Sequence, residues 1–267
     1  MSFYRTFAIV IRQFYLIRSS FSRVFPLFVW AAVDMILWGF LTKYLNTIAP
    51  PGFNFIPALL GAVLLWDFFI RIMQGVTMAF FEDVWSRNFL NIFATPLLIS
   101  EYVAGLVLSS ILTSIVGLAV MLVIAVVVFK LSLLVYGLVI IPSLLVLFLF
   151  GISLGVFGSA LVLRFGPAAE WFIWPIPALI SPFAGVLYPI STLPEWMRYI
   201  SYMLPPSYVF EAMRGVIAGR AVSEISIACS ICLALVYIFL AYLFFKNTYR
   251  STLKSGLIAR YSAENLN

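Results

Sequence analysis

Apolar windows alternate along the chain with short polar or proline-rich stretches, and most of the windows reach the roughly 20 residues a helix needs to cross a hydrocarbon core of about 30 Å. They fall at 25–42, 57–80, 102–129, 135–163 and 225–245. The third and fourth exceed the minimum length and are expected to tilt. A shorter window, 171–187, carries Pro175, Pro177 and Pro182, each of which removes a backbone donor from a helix interior and predicts a broken or kinked span. The pattern predicts an all-α integral membrane protein of six spans, 1–267 forming one transmembrane domain.

Three segments outside the windows have patterns of their own. In 3–23 the polar positions Arg5 and Thr6, Arg12 and Gln13, and Ser19 and Ser20 recur every seven residues, which keeps them on one helical face. A narrow basic stripe opposite a wide apolar face predicts an amphipathic helix lying in the membrane interface, with Arg18 off the stripe and snorkelling. The segment 82–96 opens Glu82-Asp83-Val84-Trp85-Ser86-Arg87-Asn88 and closes Ala94-Thr95-Pro96. It is too polar for lipid and predicts a short surface helix on the same side as the N-terminus. Residues 188–219 mix Pro189, Pro194, Pro205 and Pro206 with Glu195, Arg198, Glu211 and Arg214. That is too polar for a span and too apolar for a free loop, and predicts a re-entrant hairpin dipping into the outer half of the membrane.

Composition strengthens the membrane reading. The chain is 64% apolar and 10% charged, against about half and about a quarter in a soluble domain. The net charge of +6 suits basic segments held at a cytoplasmic face better than nucleic-acid binding. Ten lysines and arginines fall on the N-terminal side of the predicted spans and five on the other, placing both termini in the cytoplasm. No small-residue cleavage site follows the first apolar stretch, so that segment is expected to stay on the mature protein. Histidine is absent, which excludes histidine proton relays, histidine metal sites and Ser-His-Asp triads. Cys229 and Cys232 form a C-x-x-C in an apolar run without further ligands and read as small packing residues. No metal site and no catalytic residue is expected. Ser109, Ser110, Thr113, Ser114 and Gly117 in the third span, and Gly151, Gly155, Gly158 and Ser159 in the fourth, read as close-packing positions within the chain.

The run Phe183-Ala184-Gly185-Val186-Leu187-Tyr188-Pro189, then Leu193-Pro194-Glu195-Trp196, then Pro205-Pro206-Ser207-Tyr208-Val209-Phe210-Glu211-Ala212-Met213-Arg214-Gly215, resembles the C-terminal signature of the type-two ABC exporter permeases. The chain departs from that pattern at Leu204, where the family commonly has Asn. The order of an interfacial helix, six spans, a polar segment after the second and a hairpin before the last extends the resemblance over nearly the whole chain. The resemblance implies the membrane subunit of an ATP-driven exporter in a bacterial inner membrane, working as a dimer with a second permease copy, a homodimer expected, among membrane lipids. It also implies a separate ABC ATPase subunit. This chain has no G-x-x-x-x-G-K-[ST] loop to cradle phosphates, so ATP and magnesium are expected on that partner and no cofactor on this chain.

By position, Glu82, Asp83, Trp85, Arg87, Asn88 and Phe89 resemble the family's coupling helix, which seats in the ATPase, with Trp85 and Phe89 as anchors. Asp34, Asp67 and Arg71 lie within spans, where charges face protein or water. Asp67 and Arg71 are four apart and can neutralise each other, and both structural pairing and substrate contact remain open for all three. Pro189, Pro194, Trp196, Pro205, Tyr208, Glu211 and Arg214 belong to the hairpin that, by resemblance, covers the outer end of the pathway. With 26 Phe, 13 Tyr and 7 Trp, an amphipathic, lipid-like or drug-like substrate is expected, and a lipid-linked polysaccharide is the alternative. The rival from another class is an ion-coupled secondary transporter with Asp34, Asp67 and Glu101 as carriers, for which no inverted repeat is evident.

Overall fold

The computed structural model describes residues 2–49, 54–86, 91–92 and 94–256, and every regular element among them is helical. Helix α1 is Phe3–Arg18, α2 Phe21–Ile48, α3 Gly61–Trp85, α4 Ile99–Val127 and α5 Ile140–Phe165. The short helices α6 Glu170–Ile173, α7 Ile176–Ala184, α8 Glu195–Tyr202 and α9 Pro205–Ile217 follow, then α10 Glu224–Lys254.

Among the described residues, five stretches are long and apolar enough to cross a membrane: Arg23–Ile48, Ile56–Trp85, Ile99–Val127, Leu133–Phe165 and Glu224–Lys254. They overlie the expected windows 25–42, 57–80, 102–129, 135–163 and 225–245. The sixth window, 171–187, holds no long helix. It is split into α6 and α7 at Trp174 and Pro175, with Pro182 inside α7, and the nine residues of α7 rise only about 14 Å. The expected helix over 3–23 ends at Arg18, because Ser20 leaves helical space at φ −132°, ψ 113°, and Arg23 therefore belongs to α2. The basic stretch after 245 continues α10 as helix to Lys254.

Helix α3 is the centre of the bundle. In its most apolar stretch 56% of residues are buried, against 17% in α10. Small residues on its neighbours make this possible. A Cβ on Gly155 would stand 2.8 Å from the Val76 Cβ and 2.9 Å from the Met73 carbonyl, and one on Gly151 3.0 Å from Ile72. Gly75 of α3 itself abuts Ser110 of α4 in the same way. Two hydroxyls tie the helices across these approaches: Ser110 donates to the Ile72 carbonyl at 2.9 Å and Thr77 to the Gly155 carbonyl at 3.2 Å, each worth roughly 0.6 to 1.7 kcal/mol in a membrane protein. The small-residue stripes of the third and fourth windows thus pack within the chain. Cys229 and Cys232 do not: both are exposed on α10.

The contacts also fix helix direction. Ile72, Val76 and Thr77 of α3 meet Gly151, Gly155 and Gly158 of α5 in ascending order, so α3 and α5 run parallel. Phe150 stacks edge-on with Tyr237 and Phe157 lies against Phe244, so α5 and α10 also run parallel. The chain between them must therefore return from one end of the bundle to the other. It does so over 166–186. Ile173 packs in the apolar cluster around Phe80, Tyr102 and Phe245, whereas Ala184 and Val186 pack in the second cluster around Phe69, Phe150 and Phe210. Gly185, at φ +62°, ends α7 in the left-handed conformation that glycine adopts most readily.

Candidate functional site

Three charged assemblies punctuate this apolar bundle. The first is at the end where α1 crosses the start of α4 and the end of α3. Asp83, in the last turn of α3, is 1% exposed, and a buried carboxylate needs partners. Arg12 of α1 supplies two hydrogen bonds to it, one from Nη1 to Oδ2 at 2.9 Å and one from Nη2 to Oδ1. The Tyr102 hydroxyl of α4 donates a third at 2.6 Å. Donating to the Asp83 carboxylate holds the Arg12 guanidinium above its ordinary pKa, against the opposing effect of burial.

Two further pairs flank this one. Arg23 of α2 meets Glu82 at 2.8 Å. Glu101 accepts the backbone N–H of Leu98 at 3.0 Å and that of Ser2 at 2.5 Å, with Arg5 3.7 Å away, and Arg5 also donates to the Pro96 carbonyl. The basic stripe of α1 therefore faces protein. Thr6, Ile9, Val10 and Gln13 are buried, while Phe3, Tyr4, Phe7, Phe14 and Tyr15 are exposed. The seven-residue spacing identified the stripe, but its target lies 71 residues away in sequence and left no local signal.

Of the residues expected to meet an ATPase, Glu82 and Asp83 are thus engaged by the chain's own arginines. Trp85 is 51% exposed, with the Phe81 ring tilted toward it at 5.6 Å between ring centres. Arg87, Asn88 and Phe89 lie outside the described residues.

The second assembly is at mid-bundle. Arg71 Nε donates to Asp67 Oδ2 at 2.7 Å across one turn of α3. The Arg71 charge also acts on Asp34 of α2, and its stem fills the space left by Gly117, where a Cβ would stand 3.0 Å from Cδ. Two carboxylates and one guanidinium from two helices come together against a glycine on a third.

The third assembly lies within 188–219, the stretch just ahead of α10. Glu211 Oε1 accepts the N–H of Ile190 at 2.8 Å and the Arg214 guanidinium at 3.0 Å, and Arg214 reaches the Val186 carbonyl at 3.3 Å. Burial lowers the Arg214 pKa from its usual value, and Glu211 opposes the shift. The Tyr208 hydroxyl donates to the Tyr202 carbonyl at 2.9 Å. Pro205 starts α9 with its missing N–H at a position needing no donor, Pro194 caps α8, and Pro189 and Trp196 are exposed. No cluster of three or more metal-ligating side chains occurs among the described residues.

A sequence model described as ABC-2 type transporter matches residues 4–218, a stretch from α1 to the end of α9 that contains all three assemblies. Compared with individual curated proteins, the chain finds no match.

Proposed function

The chain belongs to the ABC-2 type transporter family, and from that premise we propose that two copies of it line the pathway of an exporter powered by a separate ATPase. Family membership and the apolar helices make it a multi-pass membrane permease domain, served by an ATPase subunit and not itself the ATPase. In this proposal the complex is an exporter and the two copies form a homodimer. Each copy crosses a bacterial inner membrane six times with both termini cytoplasmic, the fifth crossing being the broken segment 166–186. In this arrangement α1 lies at the cytoplasmic interface with its aromatic face in lipid, and 188–219 forms a re-entrant hairpin at the outer end. ATP and magnesium sit on the partner.

The observation that carries the proposal is the tie of Asp83 to Arg12 and Tyr102 just ahead of exposed Trp85. A partner pressing on Trp85 acts on the end of the most buried helix. The ion pairs make α1, α3 and the start of α4 move as one body, which suits rigid halves rocking between inward and outward openings. Asp83 and Glu82 then hold the joint together from inside, and Trp85, with Arg87, Asn88 and Phe89, supplies the contact. The aromatic bundle favours an amphipathic, lipid-like or drug-like substrate, with a lipid-linked polysaccharide as the alternative.

The test is substrate-stimulated ATP hydrolysis by the chain reconstituted with its ATPase. A Trp85→Ala/Arg87→Ala variant that still folds is expected to lose stimulation. Unchanged stimulation and transport would remove this joint from the mechanism.

A further inference from the structure

At the hairpin end a cavity of about 320 Å³ opens between α9, the loop 218–223 and the start of α10. Its volume is in the range of small-ligand sites, and its walls carry both signs of charge. Glu211 lines one side with Oε1 committed to Ile190 and Arg214, while Oε2 accepts no hydrogen bond among the described residues. Arg220 lines another side, exposed and forming neither an ion pair nor a side-chain hydrogen bond among the described residues. The two charges share one cavity and do not pair with each other, since no contact within 4.0 Å joins them. Tyr202 and Tyr208 supply aromatic wall, a surface that favours an ammonium group. Close by, α8 exposes Trp196 and Tyr199, the aromatic type that sits at the headgroup level of a bilayer.

From these observations we propose that the cavity binds a zwitterionic phospholipid headgroup, its phosphate on Arg220 and its ammonium on the free oxygen of Glu211 beside Tyr208. This is a resident lipid, distinct from whatever the pathway carries, and the site goes beyond the transport reading. Charge-assisted hydrogen bonds at both ends of one ligand favour a zwitterion over a singly charged anion. Occupancy has a structural consequence as well. The same Glu211 holds the Ile190 N–H and Arg214, and Arg214 holds Val186, so a bound ammonium acts on the carboxylate that anchors the connection between α7 and α8.

The cavity offers a clean block. Gly215 lines it, and a Cβ there would meet nothing within 4 Å, so Gly215→Leu places a side chain in the cavity without a backbone clash. Arg220→Gln removes the cation from an exposed position. The experiment is native mass spectrometry of the full chain in detergent, titrated separately with phosphatidylethanolamine, phosphatidylglycerol and free phosphorylethanolamine. The wild type is expected to retain phosphatidylethanolamine about tenfold better than phosphatidylglycerol, and both variants to lose that retention about tenfold, the scale of one charged hydrogen bond. Preferential retention of free phosphorylethanolamine would reassign the cavity to a soluble zwitterion and overturn the lipid. Equal retention of the two lipids would overturn the zwitterionic class. Undiminished phosphatidylethanolamine binding in Gly215→Leu, or in Arg220→Gln, would overturn the site.

Discussion

Arg12 and Asp83, 71 residues apart, are joined by two hydrogen bonds between α1 and the last turn of α3. The pair fastens α1, which is not one of the long apolar helices, to the helix at the bundle's centre.

Breaking that pair from one side leaves a carboxylate buried without its cation. Arg12→Met is expected to cost about 3 to 5 kcal/mol, read as a fall in the thermal midpoint of the detergent-purified chain. The triple variant Arg12→Met/Asp83→Leu/Tyr102→Phe, which removes every member of the network, is expected to recover most of the loss. The sign of the pH dependence follows from the raised Arg12 pKa. A raised cation contributes fully below its unfolded value, which lies far above neutrality, so the Arg12 contribution should stay constant from about pH 6 to pH 9. A contribution that fades across that window would contradict the pairing.

Glycine position decides the next outcome. At Gly155 an added side chain meets the Met73 carbonyl at 2.9 Å, and backbone cannot swing aside as a side chain can. Gly155→Leu is therefore expected to force α3 and α5 apart and cost several kcal/mol, the upper end of overpacking penalties. Gly215→Ala, with open space around it, is expected to stay within about 1 kcal/mol of wild type. The comparison is made by thermal unfolding of the two variants side by side, and equal loss in both would contradict the packing.

The apolar windows were legible because each long helix has to be apolar over a membrane's thickness whatever it packs against. The small residues were legible for a related reason: Gly155 and Ser110 mark close approach wherever the partner lies. What was not legible was partner choice. Arg12 pointed to a polar face, and pattern alone put that face toward water, whereas Asp83 turns it inward. Glu82 and Asp83 read as charges offered to another protein, and their actual partners sit on α1 and α2. Cys229 and Cys232 look like packing residues, yet they face outward because α10 is buried along a narrow stripe only. The prolines of 171–187 correctly signalled a broken segment, but a return path built from two short helices has no periodicity long enough to read.

The direction of α10 gives a topological prediction. Because α5 and α10 are parallel, the hairpin and the end of α10 should lie on opposite faces of the membrane. In a Cys229→Ser/Cys232→Ser background, Glu195→Cys and Ser255→Cys are both exposed positions. An impermeant maleimide added to intact cells is expected to label the cysteine at 195 and to reach the one at 255 only after permeabilisation. Reversed labelling, with 255 reached from outside and 195 only after permeabilisation, would mean that 166–186 does not cross, and labelling of both from outside would mean that α10 does not.

Arg71 serves two carboxylates, and the consequence is asymmetric. Its Nε holds Asp67 at 2.7 Å and its charge reaches Asp34, so Arg71→Met leaves two acidic groups at membrane depth without a cation within ion-pair distance among the described residues. A single charge there costs about 2.5 to 3.5 kcal/mol on insertion scales, and the variant should lose more than that because two groups are exposed to it. Asp34→Asn removes the carboxylate that Arg71 does not contact and is expected to change stability by less than about 1 kcal/mol. Arg71→Met/Asp67→Leu, which removes the contacting pair together, should fall between them. The order is read from thermal midpoints in detergent. If Asp34→Asn proved as damaging as Arg71→Met, Asp34 would be a structural partner in its own right, and the asymmetry argued from the Arg71–Asp67 contact would be wrong.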